Sequence, residues 1–136
     1  MTAAVDTGFN LSDRDRRRLA GVHPHLVRVV EQAAEQTNDV FMVVEGLRTL
    51  KRQQDLLKVG ASRTLNSRHI TGHAVDLAPV LDNGEIPWGQ WDRFESLAAT
   101  LKAAALYLKV PLEWGGDWPK FRDGPHFQLP HDQYPG

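Results

Sequence analysis

The chain predicts an α+β fold, a small and mostly antiparallel sheet with helices before and between its strands. Two stretches repeat apolar residues at helical spacing, four short runs read as strands, and no repeat, linker or low-complexity tract interrupts the 136 residues. That length suits a single domain over residues 1–136 with one core, the first ten residues loosely ordered.

In chain order, Ser12 followed by Asp15 is an S-x-x-D capping signal for a short surface helix through about Leu19, with Arg14, Arg16, Arg17 and Arg18 mostly on its wet side. Pro24 opens a second helix whose stripe of Leu26, Val29, Val30, Ala33 and Thr37 marks one buried face, ending near Asn38. Val40–Val44 is continuously apolar and too short for a helix, so it reads as a strand buried on both faces, broken by Gly46. Thr49 caps a helix running to Lys58 and stopping at Gly60, which leaves Arg48 at a strand-to-helix corner. Residues 61–68 are polar and form a loop.

From Ala74 the chain alternates, with Ala74, Asp76 and Ala78 on one face and Val75 and Leu77 on the other, as in a half-buried strand. Asp82-Asn83-Gly84 is a turn that brings Leu81 and Ile86 together in a small hairpin. Trp91, Phe94, Leu97, Ala98, Leu101, Ala104, Ala105 and Leu108 define the longest amphipathic helix, a core scaffold stopped by Val110-Pro111. Leu112–Trp114 is a short strand, Gly115-Gly116 a flexible corner and 117–122 a loop. In the last strand His126 and Gln128 share one face, Phe127 and Leu129 the other.

Composition narrows the function. With 41% apolar and 24% charged residues the chain reads as an ordinary globular protein. No apolar run approaches the roughly 20 residues that a membrane-spanning helix needs, and Met1–Asp6 has neither the basic nor the apolar segment of a secretory signal. The absence of cysteine excludes disulfides, a thiolate-held metal and a thiol nucleophile. A basic stretch (Arg48, Lys51, Arg52, Lys58, Arg63 and Arg68 against Asp55) favours an anionic substrate or is simply a solvated face. It lacks the interleaved aromatics of a nucleic-acid surface.

Chemistry concentrates in Ser67-Arg68-His69-Ile70-Thr71-Gly72-His73-Ala74-Val75-Asp76, with an imidazole and a carboxylate seven residues apart. A catalytic zinc takes three His or carboxylate ligands and keeps one position for water, and Asp123-Gly124-Pro125-His126 supplies the third. The pattern S-x-H-x-x-G-x-A-x-D with a downstream D-x-x-H resembles the zinc peptidases of bacterial cell walls: the D-alanyl-D-alanine carboxypeptidases and the phage L-alanyl-D-glutamate endopeptidases, which share a fold with the hedgehog signalling domain.

The resemblance implies one zinc ion on His69, Asp76 and His126, Asp123 as general base, and Arg48 holding the scissile carbonyl within G-x-R-T-x-x-x-Q (Gly46, Arg48, Thr49, Gln53). Residues 114–118 resemble the W-G segment that walls the cleft, which makes Trp114 and Asp117 candidates for contacting substrate or supporting the site, with ordinary packing around a Gly-rich corner as the alternative. Ser67 is expected to hydrogen-bond to the site rather than act as a nucleophile, and Gln53 to contact substrate or to support the site from behind. The implied reading is a monomeric zinc endopeptidase that cuts the L-alanyl-D-glutamate bond of peptidoglycan, as a phage endolysin held in the cytoplasm until another protein opens the membrane. Asp rather than Glu at position 123 favours this branch.

Three alternatives stay open: a D-alanyl-D-alanine carboxypeptidase or dipeptidase, a non-catalytic zinc-bearing wall-binding module, and glycan cleavage by Glu113 and Asp117. His73, four residues after His69, mimics a helical ligand pair, but Gly72 and Thr71 argue against helix, so it is expected outside the ligand set. His23, His25 and His131 read as surface residues, and Arg48 paired with Asp55 is the bland alternative for that arginine.

Overall fold

The computed structural model describes residues 8–37, 39–62 and 67–136. The expectations for residues 1–7, for a helix end at Asn38 and for loop residues 63–66 lie outside them. The elements are α1 (Asp13–Arg18), α2 (Pro24–Gln36), β1 (Phe41–Glu45), α3 (Leu50–Lys58), β2 (Ala74–Pro79), α4 (Trp91–Leu108), β3 (Glu113–Trp114) and β4 (His126–Gln128). All strand pairs are antiparallel, in the order β1-β2-β4-β3.

The capping signal at Ser12 forms a reciprocal box: Ser12 Oγ accepts from Asp15 N at 3.0 Å and Asp15 Oδ2 accepts from Ser12 N at 3.3 Å. This helix is more than a surface piece. Asp15 is 3% exposed. Its Oδ1 accepts from Val43 N at 3.0 Å, while Arg18 Nη1 donates to Val43 O at 2.8 Å, so α1 covers the open edge of β1. The α2 stripe packs as its spacing predicts, with Leu26, Val29, Val30, Ala33 and Thr37 all buried and the helix lying against α4.

The two hydrophobic strands exchange the burial predicted for them. β1 is an edge strand with alternating burial, and Val40 before it is exposed. β2 is one of the two inner strands, enclosed on both faces except at Asp76. Its alanines look like a weak pattern in sequence, yet small side chains are what allow other elements to lie close over a central strand. Phe41, Val43, Val75, Leu77, Phe127 and Leu129 fill the face toward α2 and α4.

The other face carries the polar residues. A bulge shifts the register of β1, so that Val43 lies opposite Leu77 but Glu45 lies opposite Asp76. The Asp82-Asn83-Gly84 turn forms, with Leu81 N donating to Glu85 O at 2.8 Å, although no strands flank it. Gly115-Gly116 is a buried turn of 3₁₀ helix rather than a loose corner. Among the described residues no helix is long and apolar enough to cross a membrane.

Candidate metal centre and its cleft

Antiparallel register brings the first two donors together: Asp76 on β2 lies directly opposite His126 on β4, so both project from the same face. His69 arrives from the turn before β2. That turn is held by Arg48 N donating to His69 O at 3.0 Å and His73 N donating to Arg68 O at 3.0 Å. Gly72 closes it at φ +79°, where a Cβ would lie 2.6 Å from Gly21 O.

Asp76 Oδ1 is 3.2 Å from His69 Nε2 and 3.5 Å from His126 Nδ1. One donor atom from each residue lies within 4.8 Å of the other two, a group able to hold a metal ion. The outward nitrogens support that fit. His69 Nδ1 donates to Gly46 O at 2.9 Å and His126 Nε2 donates to Gln128 Oε1 at 2.8 Å. Each carbonyl oxygen can only accept, so each outward nitrogen keeps its proton; when the imidazole is neutral, its inward nitrogen is the one that presents a lone pair to a metal, and when it is protonated that nitrogen donates to Asp76.

Burial pushes the Asp76 carboxyl upward, but hydrogen bonds and charge from His126 and His69 overturn it and leave the group well below the ordinary carboxylate range. Burial lowers His126, yet the hydrogen bond and negative charge of Asp76 outweigh that and raise the imidazole above its usual value. Asp123 is raised, first by burial and then by the negative charge of Asp76.

The triad opens into a cleft of about 870 Å³, whose lining also includes Arg48, Asp123, Trp118 and Gln128. Gly115 sets the position of the Asp123 loop. Its oxygen accepts from Asp123 N at 3.0 Å, and a Cβ there would lie 2.5 Å from Asp123 O and 3.1 Å from His126 Cβ. No side-chain hydrogen bond ties the Asp123 carboxylate among the described residues.

Arg48 is 9% exposed and does not pair with Asp55, which instead lies 3.7 Å from Lys51. Its Nε and Nη2 donate to Glu45, Nη1 donates to Gln53 Oε1 at 2.7 Å and reaches Ser67 Oγ at 3.5 Å, and Nη2 is 3.7 Å from Asp76 Oδ2. Gln53 is fully buried. Ser67 Oγ also accepts from His69 N at 3.2 Å.

Two expected contacts lie elsewhere. Trp114 pairs with Phe127 in register, and therefore points into the core, stacks on Trp91 with centroids 5.6 Å apart and donates from Nε1 to Gly124 O at 2.7 Å. Asp117 faces solvent and pairs with Lys102 at 2.6 Å. Trp118 and Phe121 are the tryptophan and phenylalanine that line the cleft, Trp118 with its ring 5.0 Å from that of His126. Neither Glu113 nor Asp117 lines it, which removes support for a paired-carboxylate glycosidase.

Glu45 and Trp118 were not singled out from sequence. Trp118 stood inside the W-G segment, whereas Glu45 faces the site only because of the β1 bulge, which has no local signature here. His73 bonds Thr71 Oγ1 at 2.7 Å and packs near His23, away from the triad. His23 and His25 gather with Tyr134 on that side.

The chain is similar to known proteins along nearly its whole length. A family model described as phage L-alanyl-D-glutamate peptidase matches residues 7–129. The L-alanyl-D-glutamate peptidase of Escherichia phage T5 is 32% identical over 113 residues, covering 81% of this chain and 82% of that one. The peptidoglycan L-alanyl-D-glutamate endopeptidase CwlK of Bacillus subtilis (strain 168) is 32% identical over 108 residues, 71% of this chain and 64% of that one. Among solved structures, the L-Ala D-Glu endopeptidase ChiX of Serratia marcescens superposes with a TM-score of 0.86 at 41% identity, covering 95% of this chain and 96% of that one.

Proposed function

The chain belongs to the phage L-alanyl-D-glutamate peptidase family, and from that premise we propose that it is a zinc endopeptidase cutting the L-alanyl-D-glutamate bond of peptidoglycan stem peptides. One observation carries the reading: three donor atoms from distant parts of the chain converge within 4.8 Å, and each imidazole has its outward nitrogen held by an acceptor, so that the neutral ring turns its lone pair inward. His69, Asp76 and His126 are the proposed ligands. Zinc bound there would supply Lewis acidity, polarising the scissile carbonyl and bringing a water's pKa to about 7.

Asp123 is the proposed general base. Its carboxylate lines the cleft, and its raised proton affinity suits a group that takes a proton from water and returns it to the leaving amine. Arg48 has its donors committed, so its role is to orient Asp76 and to set a fixed positive charge behind the carbonyl oxygen as negative charge develops there. The same commitments make Gln53, Ser67 and Glu45 the frame of that arginine. As an endolysin, the enzyme would accumulate in the cytoplasm and reach the wall when another protein opens the membrane.

Digestion of purified peptidoglycan followed by mass spectrometry of the products tests the activity. New N-terminal D-Glu, abolished by chelation and restored by zinc, is the expected result. Release of free D-Ala instead would assign the chain the carboxypeptidase reaction.

A further inference from the structure

The basic stretch of the sequence does not by itself draw an anion into the cleft. Lys51 pairs with Asp55 at 3.7 Å and Arg52 with Glu45 at 3.7 Å. Among the described residues the cleft is lined by the cations Arg48, Arg68, Lys120 and Arg122, and they are satisfied very differently. Arg48 has all its nitrogens engaged. Arg68 donates from Nη2 to Leu129 O at 2.8 Å and to Tyr134 O at 2.7 Å, and its Nε and Nη1 are shielded from water. It ties down the C-terminal segment and has no donor left for the cleft. Arg122 lies over the Trp91 ring, 4.0 Å from its centroid. Lys120 is exposed, and among the described residues its ammonium has no hydrogen bond, ion pair or ring contact.

The place of Lys120 in the chain gives that uncommitted charge a direction. It stands three residues before Asp123, and both line the same cleft. Such a stretch spans about 10 Å at full extension, and the bend through Phe121, at φ +55°, keeps it shorter. A base that takes a proton from water returns it to the leaving amine. In the L-alanyl-D-glutamate reaction that amine is the nitrogen of the glutamyl residue. Within a peptide a glutamyl residue has two carboxyl groups, one bonded to the next residue and one free. The free carboxylate is therefore carried by the very residue that Asp123 protonates, on the side of the cleft to which the loop of Lys120 belongs.

We propose that Lys120 is a specificity-determining residue, its ammonium receiving the free carboxylate of the glutamyl residue that follows the scissile bond. This rests on the L-alanyl-D-glutamate reading above. A compact charge on a four-carbon stem, with three rotatable donors, can follow a carboxylate whose position the loop fixes only loosely. Because the pair stays in contact with water, its worth is in choosing among substrates rather than in tight binding.

The test measures kcat/KM for three peptides: N-acetyl-L-Ala-D-Glu-L-Lys in its wall linkage, the same peptide amidated at the free glutamyl carboxyl, and the same peptide amidated at its C-terminus. The enzymes are the zinc-loaded wild type, Lys120→Met, Lys120→Arg and Arg122→Met. The wild type should prefer the free glutamyl acid over its amide by about three- to tenfold, between an exposed ion pair and a shielded charge-assisted one. Added salt should shrink that preference. Lys120→Met should bring the ratio close to one, while Lys120→Arg and Arg122→Met should keep it. A ratio within one preparation is insensitive to how much of a variant folds, so a structural defect cannot mimic this result. The assignment is overturned by a preference that survives Lys120→Met, is lost in Arg122→Met, follows the C-terminal carboxyl or is absent from the wild type, and the peptidase reading then stands. Cleavage of none of the peptides at the L-Ala bond, with wall digestion also failing to expose D-Glu, overturns both.

Discussion

The two walls of the cleft are built by different rules. On the sheet wall, Asp76 and His126 sit on paired strands, His69 hangs from a turn tied to the β1–α3 corner, and both imidazoles have their outward nitrogen fixed by a carbonyl oxygen. The facing wall is the 118–123 loop, where Lys120, Phe121 and Arg122 are exposed and Trp118 is half-buried. Positions that must hold to a fraction of an ångström are on hydrogen-bonded ladders. Positions that meet a variable polymer are on a loop. Asp123 stands at the junction, its loop pressed against Gly115 and its carboxylate facing the sheet.

The sharpest way to break this division is to remove one group from each side of the junction. His126→Ala should lose bound metal and activity together, by more than the roughly 10- to 100-fold typical of losing an outer partner. Asp123→Ala should keep the metal while kcat falls by about 10²- to 10⁴-fold. Metal content by elemental analysis, read beside turnover, checks both, and the reverse pattern would mean that ligand and base have been exchanged. Gln128→Leu removes the acceptor of His126 Nε2 without touching the donor atoms, and should weaken metal affinity by about 10- to 100-fold in a competition titration.

Acidification probes the same wall. Both imidazoles must be neutral to bind a metal, and Asp76 raises the proton affinity of His126, so protons compete more strongly there than at an ordinary histidine. Metal should therefore be released as the pH falls, with release beginning at a higher pH than an unperturbed imidazole would give. Asp123 acts in the same direction, since its raised carboxyl loses the base form earlier on the acid side. A pH titration of bound metal in Asp123→Asn isolates the first effect from the second.

Much of the sheet wall was legible because its residues obey local rules. The Ser12 box, the Thr49 cap and the α2 and α4 stripes depend on near neighbours, and the H-x-x-G-x-A-x-D pattern encodes a turn, a small residue and a strand face within eight residues. What was not legible depends on long-range pairing. Burial of β2 on both faces and exposure at β1 follow from strand order, which a single run of residues does not state. Glu45 joins the site through a bulge, which the residues of β1 do not announce. The two tryptophans differ for the same reason: parity relative to Phe127 decides which face Trp114 takes, and parity is set by register with β4.

That pair gives the finest test of the two-wall division. Trp114→Ala removes a ring that is 6% exposed and stacked on Trp91, and should lower stability by about 3–5 kcal/mol in chemical denaturation. Trp118→Ala removes a half-buried ring from the loop wall and, if that ring meets substrate, should change activity only about three- to tenfold, in KM rather than kcat. The midpoint of unfolding should hardly move in the second variant. If Trp118→Ala instead cut kcat with KM unchanged, the ring would be holding His126 in position, 5.0 Å away, and the loop wall would be part of the chemical machinery rather than a surface for recognition.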